Sequence, residues 1–278
     1  MGCGAISREH LSALAENPRA ELVGVVDLSR AARSYAADRY GARAHYATIE
    51  ALLDEAHPEV VHVLTPPWTH RDLALQCLRA GAHVICEKPI TESLVDLHLI
   101  LDEAASQDLL VIESQNYRFN DDVVRILEMV AAGELGDVLE AEVRILLDIA
   151  SGGKFGDPNI PSPTAGMKGG AIHDFLPHMA YSVLQMVPDG EIAGVSARWR
   201  NLSGNPVVGF DDLDGSCTVG DALLRVRFSS SLQPEGFRLH VRGSRGMAET
   251  DLFQPYLRAE VPVPAARSHR SRTRPRTA

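Results

Sequence analysis

Three groups of residues have the types and spacing for chemistry. Lys88 follows Glu87 at the end of the apolar run Ala82-His83-Val84-Ile85-Cys86, and Pro89 fixes the next φ. Asp174 and His178 stand four apart in "GGAIHDFLPHM", so on a helix they share one face. An imidazole titrates near working pH and can move a proton. At the start, "MGCGAISREHL" sets Gly2, Gly4, Ala5, Ile6 and Ser7 in a G-x-G-x-x-S pattern. Such glycines permit a tight turn and close approach of a pyrophosphate, with a helix N-terminus beside it. Asp27 closes the next apolar run, "AELVGVVD", where an acid would meet adenosine ribose hydroxyls.

These residues must be positioned by a scaffold, and the first half of the chain alternates strand-like and helix-like runs. "SRAARSYAADRYGA" is helical, with Ser29 as cap and Gly41 as stop; "TIEALLDEA", "THRDLALQCLRAGA" and "ESLVDLHLILDEAASQ" are helical too. Between them lie "AELVGVVD", "EVVHVLTPP", "AHVICEKP" and "LLVIES". Continuous apolar strands alternating with helices predict a parallel sheet covered on both faces. After Arg118 the rhythm changes to a helix, a long strand, a Gly/Pro-rich loop over 151–170 and the helix "AIHDFLPHMAYSVLQMV". Then come strand-like runs, "GVSARWRNL", "SCTVGDALLRVRFSSSL" and "GFRLHVRGSRGMAETD", with alternation that predicts an α+β domain whose sheet has one packed and one wet face. Beyond "AETD" the strand pattern is lost. The domains expected are 1–118, 119–263 and a disordered basic tail over 264–278.

Composition narrows the class. The 278 residues are 45% apolar and 23% charged, as in a soluble globular protein. No apolar run is long enough for a membrane span and no signal peptide is visible, which makes cytoplasm the expectation. Net charge is −10, although "ARSHRSRTRPRTA" carries five arginines and no acid. An acidic body argues against nucleic acid as the main partner. Cys3, Cys77, Cys86 and Cys217 have no paired spacing and read as reduced thiols; Cys86 is read as packed. His62 and His83 are read as structural, and His173 points away from Asp174 and His178 on a helix, so no metal site is expected.

The fragments "GCGAISREHL", "VLTPPWTHRDLALQCLRAGAHVICEKPIT", "NYRF", "AAGELGDV" and "GGAIHDFLPH" resemble the glucose–fructose oxidoreductase / inositol dehydrogenase (Gfo/Idh/MocA) family. That resemblance implies an N-terminal Rossmann doubly wound parallel sheet plus a C-terminal α+β domain with a large open sheet, often used to make dimers or tetramers. It implies an active site between the domains and NAD(P)-dependent hydride transfer at a hydroxyl or carbonyl carbon of a sugar or polyol. It implies catalytic roles for Lys88, which would polarise the reacting oxygen, for His178 as general base, and for Asp174, which would bind the substrate hydroxyl or orient the imidazole. Thr65, Pro66, Pro67, His70, Glu87 and Lys88 would border the cofactor with Gly2, Gly4, Ala5, Ile6 and Asp27. The Lys88–Pro89 bond is expected to be cis. Asp27 would repel a 2′-phosphate and favours NAD, whereas Ser29 and Arg30 could pair with that phosphate in NADP. Pro67 stands where relatives often carry asparagine, and Pro177 where they often carry glycine.

Two features depart from the pattern. No strand precedes the glycine turn, so the central first strand is expected upstream of Met1, and its neighbours are expected to lack ladder partners. A non-catalytic dinucleotide-binding sensor, or an inactive truncated member, is the alternative reading.

Overall fold

The computed structural model describes residues 1–152, 156–159, 163–254 and 256–261; the basic tail expected over 264–278 lies outside them. The chain forms two units, Met1–Phe119 with Ile149–Tyr181 and Asn201–Asp211, and Asn120–Asp148 with Ser182–Arg200 and Asp212–Ala278.

In the first unit, short polar side chains cap the helices that follow Ser29, Thr48 and Ser93, whereas those beginning at Ser7 and His70 start without a side-chain cap. Helix α1 spans Ser7–Glu16 and α2 spans Arg30–Tyr40, the latter capped by the Ser29 hydroxyl on the Ala32 N–H and closed by Gly41. Thr48 caps α3 (Ile49–Ala56) and Ser93 caps α5 (Leu94–Ser106), while α4 (His70–Arg79) follows a 3₁₀ turn at Pro67–Thr69. The strands are short: β1 Val25–Val26, β2 His45–Tyr46, β3 Val60–Val63, β4 His83–Cys86 and β5 Val111–Glu113. All pair in parallel, but in two ladders, β1-β2 and β3-β4-β5. Of the strand-like run 20–27 only Val25 and Val26 enter a ladder, because their partner β2 is itself two residues long. Met1 and Gly2 run between the two ladders: Gly2 N–H donates to Val26 O and Leu64 N–H donates to Met1 O, each at 2.8 Å. Val61, Val63, Val84, Cys86, Leu78 and Ile100 make the main core of this unit, and Leu11, Val25, Ala36 and Ala37 a smaller one.

The second unit opens with α6 (Asp121–Ala131), capped by Asn120, and builds one seven-stranded sheet. Its strands are β6 (Val138–Leu146), β7 (Ile192–Arg200), β8 (Asp212–Val219), β9 (Ala222–Ser229), β10 (Gly236–Gly243), β11 (Met247–Asp251) and β12 (Leu257–Glu260), ordered β12-β11-β10-β6-β9-β8-β7. Only the central β6–β9 pair is parallel. One face buries Val143, Ile145, Leu224, Phe228, Leu239 and Val241. The runs "SCTVGDALLRVRFSSSL" and "GFRLHVRGSRGMAETD" are each a hairpin rather than one strand. The expectation that strand structure ends at "AETD" is overturned by β12, which pairs with β11 through four registers. All four β12 residues are exposed, so an edge strand held by its backbone leaves no apolar alternation to read. Among the described residues no helix is long and apolar enough to cross a membrane, and all four cysteines are free thiols.

Candidate active site

Strand β4 lies between β3 and β5, with Val84 and Cys86 buried on one face and His83 and Ile85 half-buried on the other, and its carboxyl end is where open α/β sheets place their ligands. Glu87 N–H still donates to Val63 O, which holds the backbone in line up to the lysine. The Lys88–Pro89 peptide is cis, and Ile90 N–H donates to Glu113 Oε1 to fix the chain beyond it. The lysine therefore leaves a braced turn. Its Nζ donates to Asp174 Oδ1 at 2.5 Å and to the Asp174 backbone oxygen at 3.0 Å, and sits 5.9 Å from the Phe175 ring centre. The lysine and aspartate side chains are only 15% and 11% exposed, so this ion pair is shielded from water.

Asp174 comes from helix α7, Gly170–Leu184. The "GG" before it has a physical cause. Gly170 has φ +57, and a Cβ there would stand 2.4 Å from Val208 O. The first turn of α7 uses that close approach: Ala171 N–H donates to Val208 O and Ile172 N–H to Phe210 O, satisfying two orphan amides. One turn on from Asp174, His178 is buried, with Pro177 inside the helix just before it. Its Nδ1 lies 3.0 Å from Tyr181 Oη, and Tyr117 N–H donates to that same phenol oxygen at 3.2 Å. The Tyr117 and Tyr181 rings meet the imidazole edge-on, with centroids at 4.9 and 5.8 Å. Burial, then the Lys88 charge, pushes His178 down to about 3, against a weaker opposing pull from Glu87. Burial likewise pushes the Tyr181 phenol up. Lys88, Asp174, His178 and Tyr181 all belong to the first unit.

At the chain start, Gly2 has φ +87, and a Cβ there would lie 2.8 Å from Leu64 O. The Ser7 hydroxyl closes the turn on Gly4 O, and Gly4, Ala5 and Ile6 are exposed at the start of α1. No atom lies within 4 Å of a Cβ built on Gly4, which leaves room for a phosphate at the helix end. Asp27 accepts the Cys3 N–H and the Ser29 N–H, each at 2.8 Å, so its carboxylate is tied to the glycine turn; Arg30 is exposed at the start of α2. These residues fit a dinucleotide. Thr65 and Thr69 hydroxyls meet at 2.6 Å, Pro66 is exposed and Pro67 buried. His70 is fully buried, its two ring nitrogens against the carbonyl oxygens of Pro89 and Thr65, and so braces the two strand-end turns together.

Glu87 has partners that sequence reasoning missed. His10, on α1, has Nε2 3.2 Å from Glu87 Oε1 and Nδ1 2.9 Å from His62 Nδ1. Burial works to raise the Glu87 carboxyl, but hydrogen bonds from His10 and Ser114 outweigh it and hold it low. Burial, then His10, lowers His62 to about 4. Tyr181 was legible only as a residue three after His178, and His10 only as one turn into α1. His173 lies 3.8 Å from Glu92 rather than in the Asp174 cluster, and no group of three metal-ligating side chains occurs among the described residues.

Family models match both halves of the chain: an oxidoreductase-family NAD-binding Rossmann fold (GFO_IDH_MocA) over residues 1–115, and a GFO/IDH/MocA C-terminal domain over 123–249. Among relatives, glucose-6-phosphate 3-dehydrogenase of Bacillus subtilis (strain 168) is 31% identical over 51% of this chain and 40% of its own length. Inositol 2-dehydrogenase of Rhizobium meliloti (strain 1021) is 30% identical over 50% of this chain and 41% of its own. The matched residues thus span about two fifths of these relatives. Among solved structures, GenD2 from gentamicin A biosynthesis in complex with NAD superposes with a TM-score of 0.80 at 26% identity, over 91% of this chain and 71% of that one.

Proposed function

Because this chain belongs to the GFO/IDH/MocA oxidoreductase family, we propose that it is an NAD-dependent dehydrogenase acting on a CH–OH carbon of a sugar or polyol. The nicotinamide, when bound, supplies the hydride acceptor or donor. The residues that would hold the dinucleotide are the Gly2–Ile6 turn, the α1 N-terminus and Asp27, with Thr65, Pro66, Pro67 and Glu87 along its nicotinamide half. The Asp27 carboxylate disfavours a 2′-phosphate, which favours NAD over NADP. Lys88 would hydrogen-bond the reacting oxygen and stabilise charge on it, Asp174 would hold the lysine and share its protons, and His178 would meet the same oxygen. The observation that carries this reading is the shielded 2.5 Å Lys88–Asp174 pair, with His178 one helical turn from the aspartate. A carboxylate and an amine facing one another beside a buried imidazole have acid, base and electrostatic roles to divide among them.

The sugar and polyol substrates in the relatives' names guide the test. Purified protein should reduce NAD with a member of a panel that includes myo-inositol and glucose 6-phosphate. Lys88→Ala should lower kcat by roughly 10²–10⁴ while NADH still binds, as seen by fluorescence titration. NADH binding without turnover on the whole panel would favour a dinucleotide sensor instead.

A further inference from the structure

Glu87 and Lys88 are neighbours in the chain, yet their side chains bond to different elements. Lys88 donates to Asp174 on α7, whereas Glu87 faces α1. His10 Nε2 lies 3.2 Å from Glu87 Oε1, and the two side chains are only 13% and 12% exposed. An ionised carboxylate can only accept, so Nε2 of His10 carries the hydrogen of that bond. The other ring nitrogen, Nδ1, is 2.9 Å from His62 Nδ1, and the two imidazoles meet edge to face at 5.1 Å. The His10 ring is thus held between β3 and the end of β4. Burial, then His10, keeps His62 uncharged at neutral pH. Ser114, just past β5, gives Glu87 a second hydrogen bond. Burial on its own would push Glu87 toward its protonated form, and the His10 bond is the first of the contacts that oppose it.

We propose that His10 is a positioning residue that ties Glu87 to α1 as a carboxylate, and that this fixed negative charge makes the site favour the oxidised dinucleotide over the reduced one. The second half rests on the dehydrogenase reading, which sets a nicotinamide beside Glu87; the tether does not. The oxidised ring is positively charged and the reduced ring is neutral, so a nearby carboxylate stabilises the first and not the second, and more strongly where water is excluded. The Lys88 ammonium has the Asp174 carboxylate at 2.5 Å to balance it, which leaves Glu87 as the anion able to act on the ring. The titratable groups around this pair are His62 from β3 with the Met1 amine beside it, Cys86 and Lys88 from the end of β4, and His178 and Tyr181 from α7.

Two measurements test this. Glutamate labelled with ¹³C at its side-chain carboxyl, in the full chain, reports the Glu87 proton state with no ligand bound; Glu87→Gln assigns the signal. Glu87 should titrate below an ordinary glutamate in the unmodified protein and move upward in His10→Ala. His10→Phe keeps a ring of similar shape without the donor and stands in if the alanine variant does not fold. An unmoved Glu87 in whichever variant folds overturns the tether. The second measurement compares NAD binding by calorimetry with NADH binding by fluorescence, between pH 8 and 6. Glu87→Gln should cut the ratio of NAD to NADH affinity about fivefold. His10→Ala should lose the same preference as pH falls, because a carboxyl freed from its donor takes up a proton there. Added to Glu87→Gln, it should change the ratio by less than about twofold. Both affinities falling with their ratio kept, or an equal effect of His10→Ala in both backgrounds, overturns the charge role. If neither nucleotide binds, the dehydrogenase reading fails, and the carboxyl titration still decides the tether.

Discussion

In the first unit the longest strands, β3 and β4, have four residues; in the second, β6 and β7 reach nine. The difference extends to how buried titratable groups are treated. In the second unit Asp212 is bonded to Arg227 and Arg200, and Asp251 to Arg238. Burial alone would raise both carboxyls, but their arginine and N–H partners hold them below the usual range. In the first unit half-buried His62 faces His10 and buried His178 faces Tyr181, and both are pushed far down. The long ladder pairs these two carboxylates with arginines, whereas the first unit, beside its paired Lys88–Asp174 and His10–Glu87, holds two imidazoles whose proton states are unusual. Perturbed groups of that kind cluster at functional sites.

Acid should separate the two regions more than any single substitution. A histidine whose folded pKa lies below its unfolded 6.5 binds fewer protons in the folded state, so stability falls as pH drops from 6.5 toward the folded value. His62, at about 4, and His178, at about 3, should each remove on the order of 2–3 kcal/mol by pH 4.5. The depressed carboxyls of Asp212 and Asp251 behave in the opposite sense. Their contribution is intact above the unfolded value near 3.8 and is lost only as pH falls through their lower folded values. Hydrogen exchange read by mass spectrometry at pH 7, 5.5 and 4.5, corrected for intrinsic rates, should show β3 and β4 opening before β6 and β9. Simultaneous opening, or β9 first, would break the contrast.

A core substitution sharpens the same comparison from the other side. Phe228 is fully buried on β9, a strand paired on both sides. Phe228→Ala should cost about 3–5 kcal/mol, because the flanking ladders resist collapse onto the cavity. Urea denaturation followed by circular dichroism measures it. A loss under 1 kcal/mol would mean that this sheet relaxes far more easily than its continuous pairing implies.

How much of this was legible beforehand differed between the regions for physical reasons. Helix starts were readable because a cap is a local event: Ser29, Thr48, Ser93 and Asn120 each bond an amide two or three residues on. Lys88, Asp174 and His178 were singled out by the resemblance of their flanking residues to the family, since an Asp and a His four apart read as readily as core, and the short Lys88–Asp174 bond joins residues 86 apart that no local pattern links. What failed to show was anything decided by a distant neighbour. Tyr181 matters because Tyr117, 64 residues away, occupies its lone pair. His10 matters because Glu87, 77 residues on, faces it. Strand β12 escaped because an exposed edge is specified by backbone pairing rather than by side-chain alternation.

The smallest perturbation concerns the junction inside the first unit. Met1 and Gly2 carry the backbone hydrogen bonds between β1 and the end of β3, and the buried Met1 amine donates to His62 O at 2.5 Å. Beside them lies a cavity of about 610 Å³, bordered by Glu21–Val25 on one side and Pro58–His62 on the other. Few contacts can therefore compensate if this stretch shifts. Gly2→Ala imposes both a left-handed φ of +87 on an L-residue and a Cβ 2.8 Å from the Leu64 carbonyl oxygen. The expected cost is about 1–2 kcal/mol. Because the same turn fits the pyrophosphate, NADH affinity should fall about tenfold with it. Gly4→Ala is the discriminating partner: no atom lies within 4 Å of its Cβ and its φ is not left-handed, so thermal stability should hold while NADH affinity drops. Equal destabilisation by the two would mean that both glycines serve the fold alone, and the open space above Gly4 would lose its reading as room for a phosphate.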